Sequence, residues 1–171
     1  MTRQYNWGIL APGKMAAKFT RGLKTVKDAS LYAAGSRDIA RAAAFAAEHG
    51  FKKFYGSYEE LASDRDVDII YIASPHSHHH DQAILCLHKG KAVLVEKAFA
   101  LNTFQAEEMI AEAKRRNVFL MEALWPPFQP FYLKAHEILA SGVLGRIIHL
   151  HAYFSFIPPF DPADRKFNTS L

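Results

Sequence analysis

Four short stretches of the sequence carry residues whose types and spacing bear on chemistry. The first is Lys91–Ala98, Lys-Ala-Val-Leu-Val-Glu-Lys-Ala. Ala92–Val95 is an apolar run between Gly90 and a charged pair, which predicts a buried central strand. In an open parallel α/β sheet, ligands lie beyond the carboxyl ends of the strands. Glu96 and Lys97 fall at that place, so Lys97 is a candidate for moving a proton on a bound ligand. An ordinary solvated pair at a strand end fits the same two residues.

The second stretch follows the first apolar run. Tyr5–Leu10 reads as a strand, Ala11-Pro12-Gly13-Lys14-Met15-Ala16 as a turn, and the residues to about Thr25 as a helix. The dinucleotide fingerprint G-x-G-x-x-G/A is present in altered form, with Ala11, Gly13 and Ala16 at its three fixed positions. Gly13 is where a backbone without a side chain lets a pyrophosphate approach, and the helix start supplies free N–H groups. A plain structural turn also fits. The third stretch is Ser36-Arg37, 23 positions after Gly13, with Arg41 one helical turn on. An acidic residue at that distance binds the ribose 2′-hydroxyl of NAD, whereas arginine accommodates the 2′-phosphate of NADP. A serine and two arginines therefore point to NADP, against the alternative of solvated arginines at a helix start.

The fourth stretch is Ser74-Pro75-His76-Ser77-His78-His79-His80. Structural zinc sites usually combine cysteine with spaced histidine, and Cys86 is the one cysteine, so no metal is expected. The loop reads as a polar turn opening a helix, or as a wall of the nicotinamide pocket through His79.

The elements that must position these residues alternate. Strands are expected at Tyr5–Leu10, Ser30–Ser36, Lys53–Tyr55, Val67–Ala73, Ala92–Val95 and Val118–Met121. Helices lie between them. The first carries a stripe of Met15, Phe19, Leu23 and Val26. Asp38, Ser57 and Asn102 serve as caps of later helices, and Ala106, Met109, Ile110 and Ala113 line the last. Such alternation predicts an α/β, doubly wound parallel sheet of Rossmann type over residues 1–122. Pro126, Pro127 and Pro130 mark a change of composition, so 123–171 is expected to begin a second, α+β substrate domain. A helix over about Phe128–Ala140 and a strand over Arg146–Phe156 are its expected elements, with Pro158–Leu171 loop-like. Such a strand would present an edge to a second copy of the chain.

Composition narrows the class. The chain is 50% hydrophobic and 22% charged, ordinary for a globular protein. Its 21 Lys+Arg against 17 Asp+Glu are scattered, which argues against nucleic acid as a partner. No apolar run approaches the ~20 residues of a membrane span. A single cysteine and a start without an apolar leader predict a reducing cytoplasm.

Together the motifs resemble the glucose–fructose oxidoreductase / inositol dehydrogenase (Gfo/Idh/MocA) family, and within it the dihydrodiol dehydrogenase and NADP-dependent xylose dehydrogenase branch. The resemblance rests on Trp7–Ala16, on Ser74–His79 as the T-P-x-x-x-H loop, on Gly90–Ala98 as G-K-x-V-x-x-E-K-P, and on Met121-Glu122-Ala123-Leu124-Trp125 with Phe128 as M-E-A-x-W. It implies an NADP-dependent oxidoreductase moving a hydride between nicotinamide and a CH–OH group of a sugar or cyclic diol. Lys97 would handle the proton. Ala11, Gly13, Lys14, Met15, Ser36, Arg37, Arg41, Ser74, Pro75, His76, His79, Glu96 and Lys97 would hold the cofactor, and Trp125 and Phe154 would line the substrate pocket. Ala98 departs from the family proline, and Pro127 stands where this branch often has arginine. Family members are longer, and their second catalytic residue is expected beyond Leu171, so little turnover is expected of these 171 residues alone. The rival readings are a dinucleotide-binding sensor without catalysis and an inactive fragment.

Overall fold

In the computed structural model, six short segments pair into one parallel sheet; residues 3–157, 159, 160 and 162 are described. The strands are β1 (Tyr5–Leu10), β2 (Ala29–Gly35), β3 (Lys53–Tyr55), β4 (Ile69–Ile72), β5 (Ala92–Val95) and β6 (Leu120–Glu122). Their order across the sheet is β3-β2-β1-β4-β5-β6. This is the doubly wound order, with its reversal between β1 and β4. The register is level at the carboxyl end. Tyr55 pairs with Gly35, Gly35 with Leu10, Leu10 with Ile72, Ile72 with Val95 and Val95 with Glu122.

Helices α1 (Lys14–Leu23) and α2 (Ile39–His49) belong to one face, and α3 (Tyr58–Ser63), α4 (His79–His88) and α5 (Thr103–Arg116) to the other. Side chains alternate between the faces along each strand. Ile9, Ala34 and Tyr71 meet Ala16, Phe45 and Ala46 on the first face. Leu10, Ala33, Ile70, Ile72, Val93 and Val95 meet Leu61, Ala83, Leu87, Met109 and Ala113 on the second. Gly35 is required there, because a Cβ would come within 2.9 Å of Leu61 Cδ2.

The expected caps form. Asp38 accepts from the Ala40 and Arg41 N–H groups at 2.9 and 3.3 Å, and Asn102 from Gln105 N–H at 3.0 Å. Ser57 and Glu60 complete a capping box. The expected stripe of α1 holds at Leu23 and at Phe19, which is half-buried against Tyr71, and is corrected at its two ends. Ala16, Thr20 and Leu23 are buried, Met15 and Val26 are exposed, and the helix stops at Leu23. The small Ala16 lets this face of the helix approach the sheet, which rolls the larger Met15 outward. In α5, Met109 and Ala113 are buried but Ile110 is exposed.

The chain divides into two units between Trp125 and Pro126. The first remains tied to the sheet past β6, since Ala123 N–H donates to Val95 O at 2.7 Å. In the second unit, a 3₁₀ turn at Pro126–Phe128 precedes α6 (Pro130–Ala140), so the expected helix forms. The strand expected over Arg146–Phe156 does not. Those residues have no regular structure and are exposed. An isolated extended segment has no ladder to satisfy its N–H and C=O groups, and β-propensity without a partner does not make a strand. Among the described residues there is accordingly no strand edge at that place to pair with a second copy.

One backbone position stands out. Ala11 has φ = 62°, in the left-handed region that favours glycine. Replacing Ala11 by Gly should raise the unfolding free energy by about 1 kcal/mol, read as a higher urea midpoint at unchanged slope. A lower midpoint would show that the strain at Ala11 is smaller than the entropy glycine adds to the unfolded chain.

Candidate active site

The loops that follow the level strand ends bring the candidate residues to one edge. After β1, Gly13 is the N-cap of α1, with no side chain accepting from the helix start and no acidic residue in the first turn. The starts of α2, α3 and α5 are capped by their own side chains; that of α1 keeps unspent N–H groups and an unneutralised positive dipole end. Packing does not explain Gly13. A Cβ there would meet nothing closer than Arg41 Nη2, at 3.7 Å. The bare backbone therefore leaves open space in front of an anion-seeking helix end, and a guanidinium stands beside it. Lys14 and Met15 are exposed on the first turn.

After β2, Ser36 is 6% exposed and its Oγ accepts from Asp38 N–H at 3.2 Å, so it shapes the turn into α2. Arg37 and Arg41 are exposed, at the same edge as Gly13. No carboxylate replaces Ser36, and the nearest one, Asp38, is spent on the α2 cap.

After β4, the four histidines separate. His76 and His78 are exposed on a 3₁₀ turn, His76–His78, that begins after Pro75. His80 sits between Asp81 and Glu108, at 2.8 and 3.0 Å. His79 corrects the expectation that it lines a pocket. It is 1% exposed, and its ring nitrogens face Ala98 O at 2.8 Å and Ser74 O at 2.9 Å. It ties the loop after β4 to the turn after β5. Ser74 is held further by donating from Oγ to Gln82 Oε1 at 2.6 Å.

After β5, Glu96 is half-buried and takes the Tyr71 hydroxyl hydrogen bond. Its other oxygen accepts from Lys97 N–H at 3.2 Å. Burial, and then the Glu96 carboxylate, push the Tyr71 hydroxyl pKa up, so it stays a donor. The Lys97–Ala98 peptide is cis. Phe99 N–H donates to Glu122 Oε1 at 2.9 Å, which anchors the end of this turn to β6. The Lys97 side chain is exposed, and among the described residues no carboxylate holds its ammonium group. Lys91, in the same motif, is the opposite case. It lies at the amino edge, 7% exposed, with Nζ donating to Asp64 O and Val67 O at 2.6 and 2.8 Å. One lysine braces the fold and the other is available for chemistry.

Trp125 is exposed at the end of the first unit. Phe154 lies in the second unit, exposed, with its ring 5.6 Å from that of Phe156. Cys86 is buried, which pushes its thiol up to about 12 and removes it as a nucleophile. A groove of about 730 Å³ runs along α5 and β6, lined by Phe99, Ile110, Phe119 and Met121. It is largely apolar, and none of the residues of the turns at Gly13, Ser36, Ser74 or Lys97 line it. Sequence reasoning missed Tyr71, whose hydroxyl could be placed only by knowing that β4 and β5 are neighbours.

Comparison with known proteins agrees with this fold. The family described as "Oxidoreductase family, NAD-binding Rossmann fold" (GFO_IDH_MocA) matches residues 5–124. Trans-1,2-dihydrobenzene-1,2-diol dehydrogenase from Homo sapiens is 42% identical over 150 residues, covering 86% of this chain and 45% of the relative. The Xenopus tropicalis enzyme of that name is 41% identical, with 86% and 46% covered. The chain thus spans less than half the length of these curated relatives. Among solved structures, an NAD-binding oxidoreductase from Klebsiella pneumoniae superposes with a TM-score of 0.78 at 33% identity, over 83% of this chain and 40% of that one. A 3-ketoreductase from Actinomadura kijaniata, in complex with TDP-benzene and NADP, has a TM-score of 0.76 at 27% identity, over 82% and 45%.

Because nothing among the described residues needs Gly13 for packing, Gly13→Ala should keep the circular dichroism spectrum and lose no more than about 1 kcal/mol of stability. Its affinity for a pyridine dinucleotide should fall by at least ~10-fold, as the methyl group enters the space left for the pyrophosphate. Unchanged affinity would remove the turn from the site.

Proposed function

Because the chain belongs to the Gfo/Idh/MocA oxidoreductase family, we propose that it is the NADP-binding part of a dehydrogenase or reductase acting on a CH–OH group of a sugar or cyclic diol. The observation that carries the cofactor choice is the placement of Arg41 beside Gly13, with Ser36 and Arg37 where a carboxylate would select NAD. A 2′-phosphate between these guanidinium groups gains charge-assisted hydrogen bonds, and among the described residues no free carboxylate at that end of the row repels it. Gly13 and the start of α1 take the pyrophosphate, and the residues after β4 and β5 take the nicotinamide half. The names of the relatives support this substrate class: a diol dehydrogenase and an NADP-bound ketoreductase.

The nicotinamide, when bound, supplies the hydride acceptor or donor. The chain supplies the rest. Lys97 extends from a turn held at Glu96 and Ala98, and its Nζ holds or moves the proton on the reacting oxygen. Trp125 offers an exposed aromatic face to a substrate with an apolar ring side.

A titration of the 171-residue chain with NADPH and NADH, followed by nicotinamide fluorescence, tests the cofactor choice. NADPH should bind at least ~10-fold more tightly, and Arg41→Ala should weaken NADPH more than NADH and so remove most of that preference. Equal affinities, or a preference for NADH, would overturn it. Lys97→Met keeps the apolar stem and deletes the proton carrier. It should leave NADPH affinity within about twofold while abolishing whatever oxidation of sugars or of trans-1,2-dihydrobenzene-1,2-diol the wild-type protein catalyses. Retained turnover in Lys97→Met would assign the proton to another group.

A further inference from the structure

We infer that Tyr71 is a positioning residue of this site: through the Glu96 carboxylate it fixes the turn that carries Lys97 and sets the face that Glu96 presents to the nicotinamide half of the dinucleotide. The inference rests on the dinucleotide reading above and deepens it.

Tyr71 is the one polar side chain in β4, Ile-Ile-Tyr-Ile, and it is fully buried. It lies on the α1 face, opposite Leu94 of β5 and Ile9 of β1. Its ring is stacked on Phe19 of α1, with centroids 3.9 Å apart and planes 15° from parallel. Phenylalanine would fill this space equally well. A buried phenol needs a partner for its hydroxyl, and the partner found is Glu96 Oε1, two residues past Leu94 on the neighbouring strand. The carboxylate therefore has one oxygen spent on Tyr71, while the other reaches Lys97 N–H. Without the phenol, a half-buried carboxylate is free to turn to water, and the peptide preceding the Lys97 side chain loses its anchor. The stacked Phe19 also links this arrangement to α1, the helix whose start faces the pyrophosphate.

The level strand ends order the dinucleotide along the sheet edge. Ser36 and Arg37 after β2 face its adenosine half, and Glu96 and Lys97 after β5 face its nicotinamide half. An effect transmitted through Glu96 belongs to the nicotinamide half alone. A general loosening of the fold would reach both halves.

Tyr71→Phe separates these cases, with NADPH and adenosine 2′,5′-bisphosphate as the two probes. NADPH affinity should fall about fivefold, whereas the bisphosphate, which lacks the nicotinamide half, should bind as it does to the wild type. In a Glu96→Ala background, Tyr71→Phe should cost no further NADPH affinity, because the group through which it acts is gone. Equal losses for both probes, an unchanged NADPH affinity, or full additivity with Glu96→Ala would each overturn the positioning role while leaving the dinucleotide reading in place. A wild-type chain that binds neither probe would overturn both.

Discussion

The level register of the parallel ladder is the constraint on which the rest depends. Parallel pairing in this register places Tyr55, Gly35, Leu10, Ile72, Val95 and Glu122 in a single row. Every loop that follows must leave from that row, so residues far apart in sequence share one edge. The strand order reverses between β1 and β4, and the loops there turn to opposite faces, opening a crevice between them. Gly13 and Ser74 flank it. Packing beneath the row is tight: a Cβ at Gly35 would meet Leu61 Cδ2 at 2.9 Å and force a shift.

Side-chain hydrogen bonds at this edge divide into those that hold the scaffold and groups left free. His79 joins the loop after β4 to the turn after β5, Glu122 anchors the far side of that turn, and Asp38 and Ser36 shape the entry to α2. These contacts consume the polar groups that a sequence motif would assign directly to a ligand. What they leave exposed is a set of cations: Lys14, Arg37, Arg41 and Lys97. An edge with an uncapped helix start and surplus positive charge suits a multiply charged anion.

Much of this was legible in the sequence because it depends on local rules. The strand Ala92–Val95, the caps Asp38, Ser57 and Asn102, and the turn at Gly13 are set by residues within a few positions of one another. What was not legible depends on neighbours distant in sequence. The roll of α1 toward Ala16 follows from how closely the helix meets the sheet, and no periodicity reports that distance. His79 and His76 look alike in the motif, yet one is buried between two carbonyls and the other is exposed. Arg146–Phe156 has the composition of a strand, but strand formation is decided by a partner and not by composition. The turn after β1 was legible, but the left-handed angle at Ala11 was not, because its residue type disfavours that angle.

The most direct test of the central claim is amide chemical-shift mapping of the 171-residue chain with NADPH. The account predicts that the largest shifts fall on the carboxyl-edge loops, at Gly13 to Ala16, Ser36 and Arg37, Ser74 and Glu96 to Ala98. Shifts concentrated instead at the α5–β6 groove around Phe119 and Met121, or at the amino edge around Lys91, would contradict it.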